Sequence, residues 1–343
     1  MAEHGKTDAG QWDAFVRAHP HGHLLQLSGW GDLKSVFGWE VQRVILTDDK
    51  QAIIGGAQVL FRPLPMRLGN VAYLPMGPYV LDEADAPRLW DHIHIAAKGH
   101  GARFIKWEPG IYLDSDQQPN PAQFDFQESV QTIQPPRTVL INIREDDDTI
   151  MARMNQGTRR KIRQGPKKGV RFYQGDASDI PRFTRMMATT GNRNEFGVHA
   201  PAYYQLAYDL FKDTGDVALI MAEHEGDALA GIMVFAIGRF AWYIYGASAS
   251  IKRNLMATYG VQWEAIQWAK SKGCAYYDMW GIPDEDEATL EDEFKDRSDG
   301  LWGVYGFKRG WGGDVVRSLG TWDKPYNPMI YQAYKVALNW RGD

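Results

Sequence analysis

An internal repeat constrains this chain more than any other feature of its sequence. Set without a gap, Trp90–Pro109 (WDHIHIAAKGHGARFIKWEP) and Trp263–Ile282 (WEAIQWAKSKGCAYYDMWGI) match at Trp90/Trp263, Ile93/Ile266, Ala96/Ala269, Ala102/Ala275 and Trp107/Trp280. Each segment predicts an amphipathic helix, a glycine-containing break and a short strand. Upstream, Val44–Phe61 parallels Leu219–Ala236, each a strand, a polar turn and a second strand carrying Gly56 or Gly231. Asn70–Leu74 then parallels Phe240–Ile244, sharing Tyr73/Tyr243, and helices over Ser28–Phe37 and Pro201–Phe211 come before. Each half therefore runs helix, strand, turn, strand, strand, helix, strand.

That order dictates a topology. Strands joined by short polar turns pair as an antiparallel meander. The later helix crosses over to a further strand, a right-handed connection of parallel type. The expected fold is α/β with mixed (α+β) sheets, in two tandem domains like the GCN5-related N-acetyltransferases. Boundaries are expected at 1–145 and 146–319, with a linker near Pro135–Asp148, where QPPR and EDDD interrupt the apolar pattern. A C-terminal segment, 320–343, rejoins the first domain, and Trp322–Trp340 is expected to be helical and too short to stand alone.

A length of 343 residues suits two domains. The polar start, the lack of a long apolar run and the single Cys274 predict a soluble, cytoplasmic protein without disulfides. A formal net charge of −5 argues against indiscriminate coating of nucleic acid. Charge is nonetheless clustered. Arg153–Arg171 holds eight basic residues and no acid, either a solvated face or a phosphate-facing stripe; Asp284–Asp296 holds eight acids against Lys295 and predicts a flexible acidic loop.

Several chemistries are missing. Acetyl-CoA enzymes of this fold cradle the pyrophosphate on backbone N–H groups in a glycine-rich loop at a helix start. The matching stretch, Ser250–Gly260 (SIKRNLMATYG), has Met256 and Thr258 where small residues are needed, so a CoA-dependent acyltransferase is the alternative rather than the first reading. GASAS at Gly246–Ser250 lacks the final glycine of a nucleophile elbow. Cys274 reads as a packing residue, and His19, His21 and His23 come without the carboxylates or cysteines a metal site would add. No cofactor and no metal is expected.

What remains is basic and aromatic. Lys34 lies on the helix SGWGDLKSVFGWE and Arg193 in the turn-rich TTGNRNEFGVH. Tyr243 and Tyr245 alternate along AWYIYGAS, and Lys308 follows Phe307 in LWGVYGFKRGWGG. Each alone reads as a surface, capping or core residue; together they suit a cleft for phosphates and stacked rings.

These segments, with NQGTRRKIRQGPKKGV and YGVQWEAIQWAKSKGCAYYDMWGIP, resemble motifs of the FemABX family in the expected order from about Gln26 to Tyr334. The length resembles the compact FemX type, without the helical arm of some relatives. The resemblance implies transfer of an amino acid from aminoacyl-tRNA to the stem-peptide amine of a peptidoglycan precursor, either UDP-muramyl pentapeptide or its lipid-linked form. It implies that Lys34, Arg193 and Tyr245 hold the UDP-muramyl part, with Tyr243 the rival for the tyrosine role, and that Lys308 of the Phe307–Lys308 pair places the aminoacyl end. Arg159, Arg160, Lys161, Arg163, Lys167 and Lys168 are the candidates for tRNA phosphates. A monomer touching the inner membrane face only transiently is expected. A silent precursor-binding module, needing Lys34 but not Lys308, is the third reading.

Overall fold

The structure is a computed structural model, and the residues described are 9–113, 119–194 and 197–341. It forms two compact units, one holding the described residues to Pro136 and from Arg317 on, the other Arg137–Val316. In chain order the first unit contributes α1 (Ala9–Ala18), α2 (Ser28–Val36), β1 (Glu40–Thr47), β2 (Ile53–Pro63), β3 (Asn70–Pro75), β4 (Tyr79–Val80), α3 (Ala86–Gly99), β5 (Ala102–Glu108) and β6 (Gln127–Glu128). The second runs β7 (Arg137–Asn142), α4 (Asp147–Arg153), α5 (Gln156–Lys167), β8 (Arg171–Gly175), α6 (Ile180–Asn194), α7 (Pro201–Lys212), β9 (Val217–His224), β10 (Asp227–Ile237) and β11 (Phe240–Ser248). It continues through α8 (Ala257–Ser271), β12 (Tyr276–Asp278), α9 (Glu287–Glu293), α10 (Trp302–Lys308) and β13 (Asp314–Arg317). The chain then returns to the first unit as β14 (Trp322–Pro325) and α11 (Pro328–Arg341).

The repeat is realised strand for strand. β1-β2-β3-β5 and β9-β10-β11-β12 are each two antiparallel pairings followed by a parallel one. The matched glycines share a cause: a Cβ on Gly56 would lie 2.7 Å from the Trp12 ring, and one on Gly231 would lie 2.9 Å from the Phe183 ring. In both halves a helix before the meander presses an aromatic ring onto the second strand. The crossover helices bury the expected stripe, Leu89, Trp90, Ile93 and Ala97 in α3 and Val261, Ala265, Ile266 and Ala269 in α8. The mixed sheets and tandem arrangement match the expected fold class.

Next to the parallel pair, each sheet takes one more antiparallel strand, from different ends of the chain. In the second unit it is β7, pairing with β12. In the first it is β14, pairing with β5. The stretch expected to be helical from Trp322 therefore begins as a strand, because Trp322 and Lys324 find open ladder positions opposite Trp107 and Ile105. A buried network locks this strand: Lys106 Nζ lies 3.0 Å from Asp323 Oδ1, while Ser129 Oγ and Tyr331 Oη donate to Asp323 Oδ2 at 2.6 and 2.9 Å.

The acidic stretch is not a loop. Asp286 caps α9 by accepting from Thr289 N at 2.9 Å, and Leu290 is fully buried. Glu291 accepts from Arg309 Nε at 2.7 Å and Tyr305 Oη at 2.8 Å, so part of the acidity is neutralised within the unit. One buried leucine and a capping aspartate suffice to order a highly charged segment.

Candidate functional site

In the first unit the parallel pair β3/β5 stays zipped from Asn70↔Ala102 to Pro75↔Glu108. In the second, β11/β12 pairs only from Phe240↔Tyr276 to Trp242↔Asp278 and then parts. Beyond Asp278 the chain keeps to β7, with Met279 N donating to Val139 O at 3.0 Å and Ile282 N to Arg137 O at 2.9 Å. Trp280 and Gly281 turn there with positive φ, 56° and 29°. Their carbonyls lie past the last β11/β12 pairing and need donors if buried. Lys308 supplies them: its Nζ donates to Gly281 O at 2.6 Å and to Trp280 O. The lysine is only 6% exposed, and burial brings its pKa down to about 7, opposed by the Asp278 carboxylate. The Tyr243 ring lies 5.7 Å from Lys308 Nζ. Burial pushes the Tyr243 hydroxyl up to about 12. That ring lies across Gly246, where a Cβ would fall 2.0 Å from the hydroxyl oxygen, so only glycine fits.

The two candidate tyrosines part company at a β-bulge. Val234 opposes Tyr243 and Met233 opposes Tyr245, leaving Ile244 as the extra residue. Simple alternation would put both rings on one face; the bulge sends them to opposite faces. Tyr243 joins the core under α8 with Val234, whereas Tyr245 meets Tyr204 at 5.2 Å and Phe235 at 6.2 Å on the α6/α7 side. Tyr245 Oη donates to Tyr203 Oη at 3.2 Å, and the Tyr203 ring stacks on His199 at 3.8 Å. Arg193 is in the last turn of α6 rather than in a turn-rich loop. It reaches the end of β11, donating from Nη2 to Ser248 Oγ at 3.0 Å and from Nη1 to Ser248 O at 3.3 Å. Burial and the neighbouring Arg253 lower its pKa. His199 and Tyr203 were not among the sequence candidates; the signal for Tyr203 is the paired tyrosine Tyr203-Tyr204 opening α7.

Lys34 belongs to the first unit. It sits one turn after Trp30 on α2, its Nζ 4.9 Å from the Trp30 ring. Burial, and then the nearby Arg62, bring its pKa down to about 8. Arg62 in turn stacks over Trp39 at 5.4 Å. The first unit's counterpart of Tyr243, Tyr73, donates to Glu108, which also accepts from Ile133 N at 2.6 Å and Thr321 Oγ1 at 2.8 Å. A carboxylate thus fastens the zipped strand ends where the second unit has a lysine in an open pair.

The basic run forms α5, capped by Asn155. Its members divide by use. Arg159 Nη1 donates to the carbonyls of Met154 at 2.6 Å and Ala152 at 3.1 Å, closing the end of α4. Lys161 Nζ donates to Tyr259 Oη at 2.9 Å, and Lys168 Nζ to Asn254 O at 3.2 Å. Arg160, Arg163 and Lys167 fall on one exposed helical face and, among the described residues, line an open groove with Gln156 and Gln164. Phe307 packs edge-on against Tyr259 at 5.0 Å and Trp311 at 5.7 Å, so Lys161, Tyr259 and Phe307 make a continuous bridge from α5 to the residue before Lys308. The loop leading into α8, where a CoA enzyme would hold pyrophosphate, is held by α5: Gln164 Nε2 donates to Asn254 O at 2.8 Å, and the Phe172 ring fills the space beside Gly165 and Gly260.

The remaining motifs have structural duties. His19 stacks on Tyr79 at 4.5 Å, and buried His23 accepts from Leu25 N at 3.1 Å. Cys274 is buried, its thiol pushed up to about 11. Among the described residues no group of His, Cys, Asp and Glu could hold a metal ion, and no helix is long and apolar enough to cross a membrane.

A family model described as the FemAB family matches residues 7–128, 122–227 and 219–339. The chain is 25% identical over 396 residues to the lipid II:glycine glycyltransferase of Staphylococcus haemolyticus (strain JCSC1435), an alignment covering 93% of this chain and 92% of the relative. The protein of the same description from Staphylococcus aureus (strain USA300) is 24% identical over 398 residues, with 93% and 92% covered. Among solved structures, FemX superposes with a TM-score of 0.85 at 23% identity, covering 95% of this chain and 98% of that one. A tandem GNAT protein from the clavulanic acid biosynthesis pathway gives 0.51 at 12% identity, covering 92% and 94%. The fold is shared with both.

Proposed function

The chain belongs to the FemAB family, and from that premise we propose that it is an aminoacyltransferase that extends the stem peptide of a peptidoglycan precursor, with aminoacyl-tRNA as donor. The observation that carries the reading is the parted strand pair of the second unit, filled by Lys308 beside Tyr243. An aminoacyl ester is already activated, so no enzyme nucleophile is needed. The acceptor amine attacks the ester carbonyl, a C–N bond forms, and the tetrahedral oxyanion collapses with loss of the tRNA ribose oxygen, which takes up the proton the amine gives away. Lys308 has three N–H groups and spends two on carbonyls. The third is the donor for the oxyanion, and in a dry site such a donor is worth about 3 kcal/mol of barrier.

The free basic face of α5, bridged to Lys308 through Lys161, Tyr259 and Phe307, supports an approach of the tRNA acceptor stem along that helix. Arg193 and Tyr245 suit the anionic and ring-bearing parts of the precursor, and Lys34 a phosphate. The glycyltransferase relatives favour a lipid-linked acceptor. A CoA donor is disfavoured by the way α5 and Phe172 occupy the loop before α8.

The test is incubation of the protein with a mixture of charged tRNAs and UDP-muramyl pentapeptide or its lipid-linked form, followed by product mass. Addition of one aminoacyl residue is expected. Acylation from acetyl-CoA with none from charged tRNA would overturn the reading.

A further inference from the structure

We propose that one corner of the first unit docks on an anionic lipid surface. It is built from three stretches that pack together: 62–69 (RPLPMRLG), 98–104 (KGHGARF) and 324–341 (KPYNPMIYQAYKVALNWR). Leu64, Phe104 and Tyr331 form its core with Leu68, Ile330 and Tyr334. Arg103 Nε donates to Leu68 O at 2.9 Å, and Tyr326 N donates to Arg103 O at 2.8 Å.

Two properties coincide here. First, among the described residues this corner carries the most exposed large hydrophobics, Met66 at 85% and Met329 at 81%. Met66 tops a tight turn in which it and Arg67 both hold left-handed backbone, φ 56° and 58°, with Leu64 N closing on Gly69 O at 2.8 Å. α11 is apolar on both sides: Tyr331 and Leu338 are buried, while Met329, Ala333, Val336 and Ala337 are exposed along the other face. Exposed apolar residues opposite the buried side of a helix imply a partner for that outer face.

Second, the three stretches contain no acid at all in a chain of net charge −5. Arg67, next to Met66, is exposed, exposed Lys98 lies over the Tyr326 ring at 5.4 Å, and Lys335 lies over the Tyr331 ring at 5.1 Å. Lys324 is not counted, because Asp125 lies 3.4 Å from it. Exposed apolar tips on stretches that carry cations and no acid are complementary to the headgroup and acyl boundary of an anionic bilayer. An RNA would match the charge but leave the methionines unused.

The test is flotation with phosphatidylcholine vesicles, with and without phosphatidylglycerol, in the absence of tRNA and acceptor. Binding to the anionic vesicles is expected, at least tenfold weaker on neutral ones. The Met66→Ser/Met329→Ser/Val336→Ser variant should lose it, and Arg67→Ser/Lys98→Ser should weaken it most at low salt. Melting temperature and transfer to soluble acceptor should stay unchanged in both. Equal flotation of wild type and variants, or none by wild type, would overturn the proposal. So would self-association or tRNA binding abolished by the same substitutions, which would give the face to a second copy or to RNA. Loss of soluble transfer would instead count against the functional reading of the site.

Discussion

Tyr243 and Tyr245 stand two residues apart on β11 yet face opposite sides of their sheet, because Ile244 is the extra residue of a bulge. One ring lies beside Lys308 and the other touches Tyr203, so the two should fail differently. Tyr245→Phe removes a hydrogen bond worth about 1 kcal/mol and should raise the KM for the precursor roughly fivefold with little change in kcat. Tyr243→Ala removes the ring beside the lysine and should lower kcat instead. Steady-state kinetics on both variants checks this; the same kinetic pattern in both would refute it.

The buried Lys308, with a pKa near 7, imposes a pH signature. An oxyanion donor must be the ammonium, so transfer should fall as pH rises through about 7 on this limb, while deprotonation of the acceptor amine acts in the opposite sense. Lys308→Arg, which stays charged, should move the alkaline limb up even at reduced rate. Lys308→Met should lose at least a hundredfold in kcat while still binding precursor. An alkaline limb unaltered by Lys308→Arg would exclude the assigned role.

The same depressed pKa is a stability statement. The folded form binds fewer protons than the unfolded chain between about pH 7 and the ordinary lysine range, so stability rises with pH across that interval. Below pH 7 the buried ammonium carries its full desolvation cost. Melting of wild type minus that of Lys308→Met should therefore climb between pH 7 and 10; a flat difference would mean the lysine is not desolvated in solution.

Arg160, Arg163 and Lys167 should act on one substrate only. Their joint replacement by Gln should raise the KM for aminoacyl-tRNA at least tenfold and flatten the log–log salt dependence by roughly 2 to 3. The KM for the precursor should not move. Arg159→Ala is the contrast: it uncovers the carbonyls at the end of α4 and should lower the melting temperature instead.

In the first unit, Lys106→Met strands the fully buried Asp323 and should destabilise by about 3–5 kcal/mol. Adding Asp323→Leu should recover part of the loss. Thermal melting of the single and double variants reads both.

The duplicated order of elements was legible because local periodicities carry it, and each half kept enough matched residues, Gly56 and Gly231 among them, to be set side by side. β14 was not legible, since Trp322–Pro325 is a strand only because β5 offers a free edge far away in sequence. The bulge at Ile244 left no local mark either, since simple alternation along the strand would put Tyr243 and Tyr245 on one face. The parted strands had a readable trace: Met279-Trp280-Gly281 stands where the first half has Lys106-Trp107-Glu108, and loss of the strand-fastening Glu108 for a glycine marks the half that opens. The acidic stretch misled because charge outweighed a single Leu290.

The return of β14 has a consequence for synthesis. The second unit is contiguous, Arg137–Val316, and is complete once its last strand has emerged from the ribosome. The first unit, although begun earlier, lacks β14 and the Asp323 partner of Lys106 until the chain beyond Val316 has been made. Until β14 follows, β5 is an unpaired edge that a nascent chain must keep from its neighbours.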